Sequence, residues 1–369
     1  MNLKKTSEFR DGNEDQASSG ISVYHPEGFG YSKPNGYDCT KETFMFGSYL
    51  SAKDGDMEIE NTIEALKENN RKLSVLRGRP TISYMTSVDR KCVHQDDLSI
   101  NDQDLKGLVH IVNLIPANVH EIDIIIHSHG GYMTSARRIA EYFRNRFEKV
   151  NYLIPFVAYS AAAMMTISGD EIVMTPESCL GPFDVQMNSY DSKGTYLPVR
   201  EMKEYLRGAI RASAPINFLE SKTLYDGLTG ATIKKGLHEC NVAQKLSKSY
   251  PHYWLMKYKF KAHVGRSYKF TNNFIFPWWL FFTKDGRKVA RIVNFFTDSS
   301  IHISHNNPIM FHDVKDIGLN IKKADGELCE LLRETYRLAD RLFETSTITK
   351  LYLSKDSYTF RFIQGGEVN

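Results

Sequence analysis

The sequence predicts an α/β fold with a mostly parallel sheet and repeated strand–helix units. Three short runs have the nearly continuous apolar pattern of buried strands: Ile122 to Ile126, Tyr152 to Val157 and Glu171 to Thr175. Such runs are typical of parallel sheets, because helices cover both faces of the sheet. Apolar residues recur at helical spacing between the runs, so strands and helices alternate. This alternation requires crossover connections, which favour parallel strands.

The elements around these strands follow from the same spacing. An amphipathic helix is predicted from about Met57 to Leu76, a strand from Thr81 to Thr86 and a helix from Ser160 to Ser168. Two more helices are predicted from apolar residues three and four positions apart, one with Leu105, Leu108, Val109 and Val112 and one with Ala136, Ile139, Ala140 and Phe143.

The C-terminal half is less regular. Residues 200–265 have a helical pattern, whereas the aromatic-rich residues 266–300 are expected to form strands and turns. We therefore expect three regions: a flexible arm over residues 1–56, one domain over residues 57–330 with a helical and aromatic-rich insertion at about residues 200–290, and a C-terminal helix and tail over residues 326–369.

Composition narrows the classes of function. The 369-residue chain is 41% hydrophobic, enough for a sizeable core, and its formal net charge is only +3. No basic block dominates, so nucleic acid is not an expected partner. The five cysteines are scattered and form no C-x-x-C pair. This pattern argues against a disulfide framework or a zinc site and favours a reducing, cytoplasmic location.

Targeting and cofactor signals are also absent from the sequence. The N-terminal residues lack an apolar core, so no signal peptide is expected. The aromatic stretch Phe274 to Phe282 is too short for a transmembrane segment and is interrupted by Pro277. We expect a buried strand pair or a contact between copies of the chain, and a membrane-surface anchor is the alternative. No phosphate-binding loop or H-E-x-x-H motif occurs, so we expect no cofactor and no metal, and an ATPase would be a separate partner.

Ser160 is the strongest catalytic candidate. It ends a buried strand, opens a helix and has the small neighbours Ala158, Ala161 and Ala162. A sharp strand-to-helix turn of this kind exposes a nucleophilic hydroxyl, and small neighbours let the backbone approach a substrate. The N–H of Ala161 would point towards a developing oxyanion. The same pattern also fits a simple helix N-cap.

A glycine pair makes the catalytic interpretation more specific. Gly130 and Gly131 follow the strand Ile122 to Ile126, at the point where the next helix begins. Glycine permits unusual dihedral angles and close backbone approach. Their N–H groups are therefore candidates for the other half of an oxyanion hole, although a tight turn alone would also require glycine. The glycine pair, together with a serine in a second strand-to-helix turn, indicates an acyl-transfer site more specifically than either feature alone.

Together these segments resemble the serine dehydrogenase proteinases, a family of Clp/crotonase-fold serine peptidases related to Clp protease and signal peptide peptidase A. The matching segments are Arg77 to Ile82 (RGRPTI), Ile122 to Gly131 (IDIIIHSHGG), Ala158 to Met164 (AYSAAAM), Asp170 to Met174 (DEIVM), Leu180 to Gln186 (LGPFDVQ), Ser304 to Ile309 (SHNNPI) and Gly318–Leu319. The resemblance implies a Clp/crotonase-like fold for residues 57–330. It also implies serine peptidase activity, with Ser160 as nucleophile and an oxyanion hole at Gly130, Gly131 and Ala161.

The general base does not follow the family pattern directly. Clp peptidases place a histidine shortly after the nucleophile, and the matching stretch Leu180 to Val185 contains none. His305 lies near the segment that carries the triad acid in Clp peptidases. We therefore expect His305 to be the base and Asp184 the orienting carboxylate. Two positions also depart from the family: His129 replaces a proline and Ala162 replaces a glycine.

Other bases and other functions stay open. His302 is a second histidine in the same neighbourhood, and signal peptide peptidases use a lysine some tens of residues after the serine, where Lys203 and Lys222 lie. The resemblance implies a homo-oligomer that acts on peptide or protein substrates. A catalytically inactive scaffold or binding protein is one alternative. A crotonase-type acyl-CoA enzyme, which uses backbone donors without a nucleophile, is the other.

Overall fold

The computed structural model describes residues 43–46, 54–88, 95–188, 196–212, 230–260, 283–302 and 304–362. The strands are β1 (Thr43–Phe46), β2 (Thr81–Thr86), β3 (Glu121–His127), β4 (Lys149–Ile154), β5 (Val157–Ala158), β6 (Glu171–Met174), β7 (Cys179–Leu180), β8 (Gln186–Asn188), β9 (Tyr196–Pro198), β10 (Ile309–Met310), β11 (Lys322–Lys323), β12 (Ile348–Leu353) and β13 (Tyr358–Phe362). The helices are α1 (Asp54–Arg77), α2 (Gln95–Leu98), α3 (Asp104–Asn113), α4 (Met133–Arg146), α5 (Ala161–Ile167), α6 (Val199–Ala212), α7 (Gly230–Trp254), α8 (Lys284–Thr297), α9 (Ser299–His302), α10 (Phe311–Asp316) and α11 (Gly326–Thr345).

Within the described residues, a sheet of eight strands forms the centre of the fold, in the order β1-β13-β12-β2-β3-β4-β6-β11. Strands β2, β3, β4, β6 and β11 run parallel to one another. Strands β12, β13 and β1 extend one edge of the sheet with antiparallel pairing. The predicted α/β fold with a mostly parallel sheet is therefore confirmed.

Helices cover both faces of this sheet. In β3, Ile124 and Ile126 belong to a core shared with α3, α4 and α5, whereas Ile125 belongs to a core shared with α1 and α11. All three side chains are fully buried. Alternate residues of a strand point to opposite faces, so a strand covered on both sides needs an uninterrupted apolar run. The run Ile122 to Ile126 has this property except at Asp123, whose buried carboxylate pairs with Arg77 at 2.6 Å.

Helices α6 and α7 pack against each other beside the main body. Their contact surrounds a small core of its own, which includes Met202, Leu206 and Cys240. The C-terminal end of α7 joins the main core, where Tyr250 and Trp254 are buried with residues of α8. None of the helices described above is both long and apolar enough to cross a bilayer.

Two C-terminal regions differ from the sequence prediction. Residues 284–297 form the helix α8 rather than strands and turns, and its buried positions follow helical spacing: Val289, Ile292, Val293 and Phe296. The expected tail contains two strands, β12 and β13, that join the central sheet beside β2. Most of the predicted arm over residues 1–56, and the aromatic stretch Phe274 to Phe282, lie outside the described residues.

Candidate active site

A small three-stranded sheet brings the candidate segments together. Strand β5 is parallel to β7, and β7 is antiparallel to β10, so Ala158, Leu180 and Ile309 lie side by side. Ser128 extends this row through a parallel bridge to Ala158. The chain after Ser128, Ala158 and Leu180 therefore continues on the same side of this row. The chain before Ile309 approaches the row from that side, because its strand is antiparallel. This side carries the candidate residues Gly130, Ser160, Asp184 and His305.

Ser160 occupies a strained turn between β5 and α5. Its backbone has φ 51° and ψ −123°, and it is the one non-glycine residue with positive φ among the described residues. Such a conformation costs on the order of 1–3 kcal/mol and persists only where the surrounding structure fixes it. Here α5 supplies that support, because all seven of its residues are buried. The turn has the backbone geometry that exposes a nucleophilic hydroxyl.

The glycine pair lies directly against this turn. Gly130 has φ 102°, and a Cβ placed on it would stand 2.7 Å from Ser160 Cβ and 2.9 Å from Ala161 N. The N–H of Gly130 donates to Ser128 Oγ at 3.1 Å. In the described part of the chain, the N–H groups of Gly131 and Ala161 donate to no backbone carbonyl. Within the described residues these two N–H groups thus have no carbonyl partner, while Gly130 provides the close approach to Ser160.

A short extended segment at Ile100 fixes the glycine pair from the other side. Ile100 N–H donates to the carbonyl of Gly130 at 2.7 Å, and Tyr132 N–H donates to the carbonyl of Ile100 at 2.8 Å. Gly131 has φ 146°, and a Cβ there would collide with the backbone of Ile100. Both the conformation and the space at Gly131 therefore require glycine. Ile100 was not among the site residues that the sequence motifs predict.

The Ile100 segment is in turn held by a fully buried polar network. Lys350 of β12 donates to the carbonyl of Ser99 at 2.6 Å and to Asp104 Oδ1 at 2.9 Å. Tyr84 and Tyr352 donate their hydroxyls to the same carboxylate at 2.7 and 2.5 Å. Burial, and then the Asp104 charge, raise the pKa of both tyrosines well above the usual value. Both phenols therefore keep the protons that they donate.

His305 and Asp184 are bound to each other. His305 Nδ1 lies 2.7 Å from Asp184 Oδ1, and the Asp184 side chain is 5% exposed. The neighbouring Phe183 fixes the segment, because its ring stacks on Phe296 and its N–H donates to the Phe296 carbonyl at 2.9 Å. Asp184 Oδ2 is buried and has no partner within the described residues. This arrangement favours the Nδ1–H tautomer of His305 and leaves Nε2 as an acceptor.

The alternative bases have other surroundings. His302 is buried at the end of α9, where its Nε2 contacts the carbonyl of Phe295 and its ring packs edge-on against the Phe295 ring. Lys203 donates to Gln244 Oε1 at 2.5 Å on the facing helix α7. Lys222 lies outside the described residues. His302 lies in α9, and His305 lies in the turn that follows it.

The two histidines near the glycine pair differ in environment. His127 is fully buried and packs against Phe156 and Tyr336. Burial, with a smaller effect of His129, lowers the pKa of His127 to about 3, so its imidazole is neutral. His129 is exposed, and its ring stacks on that of Tyr159 at 6.4 Å. No group of three or more metal-binding side chains occurs among the residues that the structure describes.

Comparison with known proteins shows which family the residues around Ser160 and the glycine pair resemble. Residues 97–205 match the family model of ClpP-like SDH-type serine proteinases. This range contains Ser160, the glycine pair and Asp184, but not His305. The match confirms the resemblance that the sequence motifs indicate, and it supports a peptidase-type function.

Individual relatives match over part of their length. The uncharacterized proteins MJ1495 and MJ0137 of Methanocaldococcus jannaschii are 30% and 28% identical over 91 residues, or 25% of this chain. The matches span 31% and 32% of those two proteins. The ClpP protease catalytic domain from Plasmodium falciparum aligns over 76% of this chain and 97% of its own, with 12% identity and a TM-score of 0.33. A mutant of the 1510-N membrane-bound stomatin-specific protease aligns over 41% and 81%, with 15% identity and a TM-score of 0.24.

Proposed function

We propose, on the premise that residues 97–205 are of the ClpP-like SDH-type serine proteinase kind, that this chain is a serine peptidase. It hydrolyses peptide bonds through an acyl-enzyme on Ser160. The observation that carries the proposal is the backbone at Ser160, which is strained at φ 51° and lies against Gly130. A helix N-cap alone does not need positive φ, since N-cap residues are typically extended.

The proposed chemistry follows from the neighbouring groups. The Ser160 hydroxyl attacks the carbonyl carbon of the scissile peptide bond while His305 Nε2 accepts its proton. Asp184 holds the imidazole through Nδ1–H and stabilises the imidazolium that forms. The N–H groups of Gly131 and Ala161 stabilise the negative oxygen of the tetrahedral intermediate. His305 then protonates the leaving amine. A water molecule next attacks the acyl-enzyme while His305 accepts its proton, and His305 returns this proton to Ser160 as the acyl group leaves as a carboxylic acid.

Activity on a quenched-fluorescence peptide library tests the assignment of the base. His305→Gln should lower kcat/KM by about three orders of magnitude or more, because the serine loses its proton acceptor. Asp184→Asn should lower it less while keeping the fold. The matched control is His120→Gln, since His120 is an exposed histidine paired only loosely with Glu148 at 3.5 Å. Near-full activity of His305→Gln would assign the base to another residue.

The rival functions are separated by Ser160→Ala. A peptidase loses turnover, whereas a crotonase-type acyl-CoA enzyme, which needs only the backbone donors, retains acyl-CoA turnover. An inactive scaffold shows no turnover in either form.

We further propose that the protein is a cytoplasmic homo-oligomer that acts on peptide or protein substrates, with any ATPase supplied separately. The buried free thiols of Cys179, Cys240 and Cys329 support a reducing compartment.

A further inference from the structure

A polar cavity of about 410 Å³ lies next to Asp184. It is lined by residues of α6 and α7, by Asp184 and Val185, and by residues 297–299. Asp184 also binds His305, so a group in the cavity is separated from the proposed general base by one side chain. The cavity therefore adjoins the Asp184–His305 pair, which the proposed function assigns to the activation of Ser160.

Cationic side chains dominate the helical walls of the cavity: Arg200, Lys203, Arg207 and Lys248. Lys203 Nζ donates to Gln244 Oε1 at 2.5 Å, and Lys248 Nζ donates to Asn294 Oδ1 at 3.0 Å. Both acceptors are neutral amides, so they orient the ammonium groups without neutralising them. Within the described residues, Lys203, Arg207 and Lys248 form no ion pair with an acidic side chain.

The acidic side chains of the cavity already have partners. Glu204 is 3.7 Å from Arg200 on the same helix. Asp298 accepts hydrogen bonds from the hydroxyl and the N–H of Ser300 at 2.6 and 3.0 Å. These bonds, and then the charges of the nearby lysine and arginine, lower the pKa of Asp298. The third acidic side chain of the cavity is Asp184, which binds His305. The lining thus has four cationic and three acidic side chains, an excess of one positive charge. Lys203 and Arg207 are the cations that no acidic side chain of the cavity pairs with in the described residues, so they are the ones available to a ligand.

We propose that this cavity binds a carboxylate of the peptide substrate close to the scissile bond. The inference rests on the proposed peptidase function and specifies its substrate class. Arginine and lysine are the side chains that bind carboxylates with short, charge-assisted hydrogen bonds. The carboxylate belongs to the free C-terminus of the peptide or to an acidic side chain. Lys203 is a binding residue in this account, not the general base.

Binding to the Ser160→Ala protein tests the proposal without turnover. The probes are three fluorescein-labelled decapeptides of one sequence without acidic residues: one with a free C-terminus, one amidated, and one amidated with a single glutamine replaced by glutamate. Fluorescence anisotropy gives Kd. At least one carboxylate peptide should bind about tenfold more tightly than the amidated peptide, and salt should weaken this preference. The preferred peptide identifies the source of the carboxylate.

Variants of the cavity locate the effect. Lys203→Met and Arg207→Gln should each remove most of the preference in the Ser160→Ala background. Arg337→Gln is the matched control, because Arg337 is an exposed arginine on α11 that pairs with Glu334 in its own helix. Its preference should equal that of Ser160→Ala alone.

The outcomes separate this proposal from the proposed function. Equal binding of all three peptides, or an unchanged preference in Lys203→Met, overturns the carboxylate site even if the wild-type protein hydrolyses peptides. A carboxylate preference that depends on Lys203 and Arg207 supports the site even if no hydrolysis is found. In a hydrolytic enzyme, a loss of activity in Lys203→Met on amidated, neutral peptides as well would assign Lys203 to catalysis and overturn its binding role.

Discussion

Replacing Lys350 with methionine should lower the stability of the fold and loosen the Gly130–Gly131 segment, the candidate oxyanion loop. Lys350 and Asp104 are 0% exposed, and their charged atoms are 2.9 Å apart. Methionine preserves most of the side-chain volume but removes the ammonium group. Lys350→Met therefore leaves the Asp104 carboxylate buried with fewer compensating charges, and it leaves the carbonyl of Ser99 without this donor.

The expected size of the effect follows from the surroundings of the carboxylate. Breaking a buried ion pair by removing one partner typically costs about 3–5 kcal/mol of unfolding free energy. Arg361 remains 3.6 Å from Asp104 Oδ1, and Tyr84 and Tyr352 still donate to the carboxylate. We therefore expect the lower end, about 3 kcal/mol, for Lys350→Met. The double variant with Asp104→Asn should lose less than the sum of the two single losses, because the pair acts as a unit.

Two measurements check this prediction. Urea unfolding followed by circular dichroism gives the loss of stability, and hydrogen exchange gives the local effect at the amides of Ile100 and Tyr132. Both amides should exchange faster in Lys350→Met, because they connect the lysine-bound segment to the glycine pair. The control Lys355→Met removes an exposed lysine in the turn after β12. A loss below about 1 kcal/mol, with unchanged exchange at Ile100, would show that Lys350 does not support the Ile100 segment.

Three further predictions concern the loop, the pH dependence and the assembly. Gly130→Ala should lower kcat about 100-fold or more, because the added Cβ would displace Ser160 and the proposed oxyanion donor Ala161 N–H. Gly78→Ala, at φ 66° with open space around it, should keep its activity. Equal activity of the two variants would contradict this prediction. Burial lowers the pKa of His127 to about 3 in the folded protein. Below about pH 6.5 the unfolded chain therefore binds more protons than the folded protein. The free energy of unfolding should fall by about 2 kcal/mol from about pH 7 to 5 for this reason. His127→Phe should flatten this slope in urea titrations. Light scattering should show a homo-oligomer, and a 42.3 kDa monomer would refute it.

The parallel part of the sheet could be predicted because its signals are local. The apolar run Ile122 to Ile126 and the two strand-to-helix turns are continuous in sequence. Their order requires the glycine pair and Ser160 to meet at one edge, and Gly130 does lie against Ser160. The pairing of His305 with Asp184 was expected although it departs from the family order, because His305 lies near the segment that carries the triad acid in Clp peptidases, and the structure has that hydrogen bond. Its catalytic role stays a prediction.

The C-terminal strands could not be predicted because their stabilising contacts are remote. Strand β12 carries Lys350 at a fully buried position, and a lysine in sequence indicates solvent exposure. Its partner Asp104 is 246 residues away, so no local spacing signals the pair. The helix α8 was missed for another reason. Its aromatic residues, such as Phe296, fit a strand as well as a helix, and the helical spacing of Val289, Ile292 and Val293 was the available signal.

Covalent labelling tests whether Ser160 is the nucleophile. The wild-type protein should react with a fluorophosphonate probe, and mass spectrometry should locate the adduct on Ser160. Ser160→Ala should not react, and His305→Gln should react much more slowly because the serine loses its base. An adduct on another residue, or no adduct on a protein that turns over peptides, would contradict the assignment of Ser160 as the nucleophile.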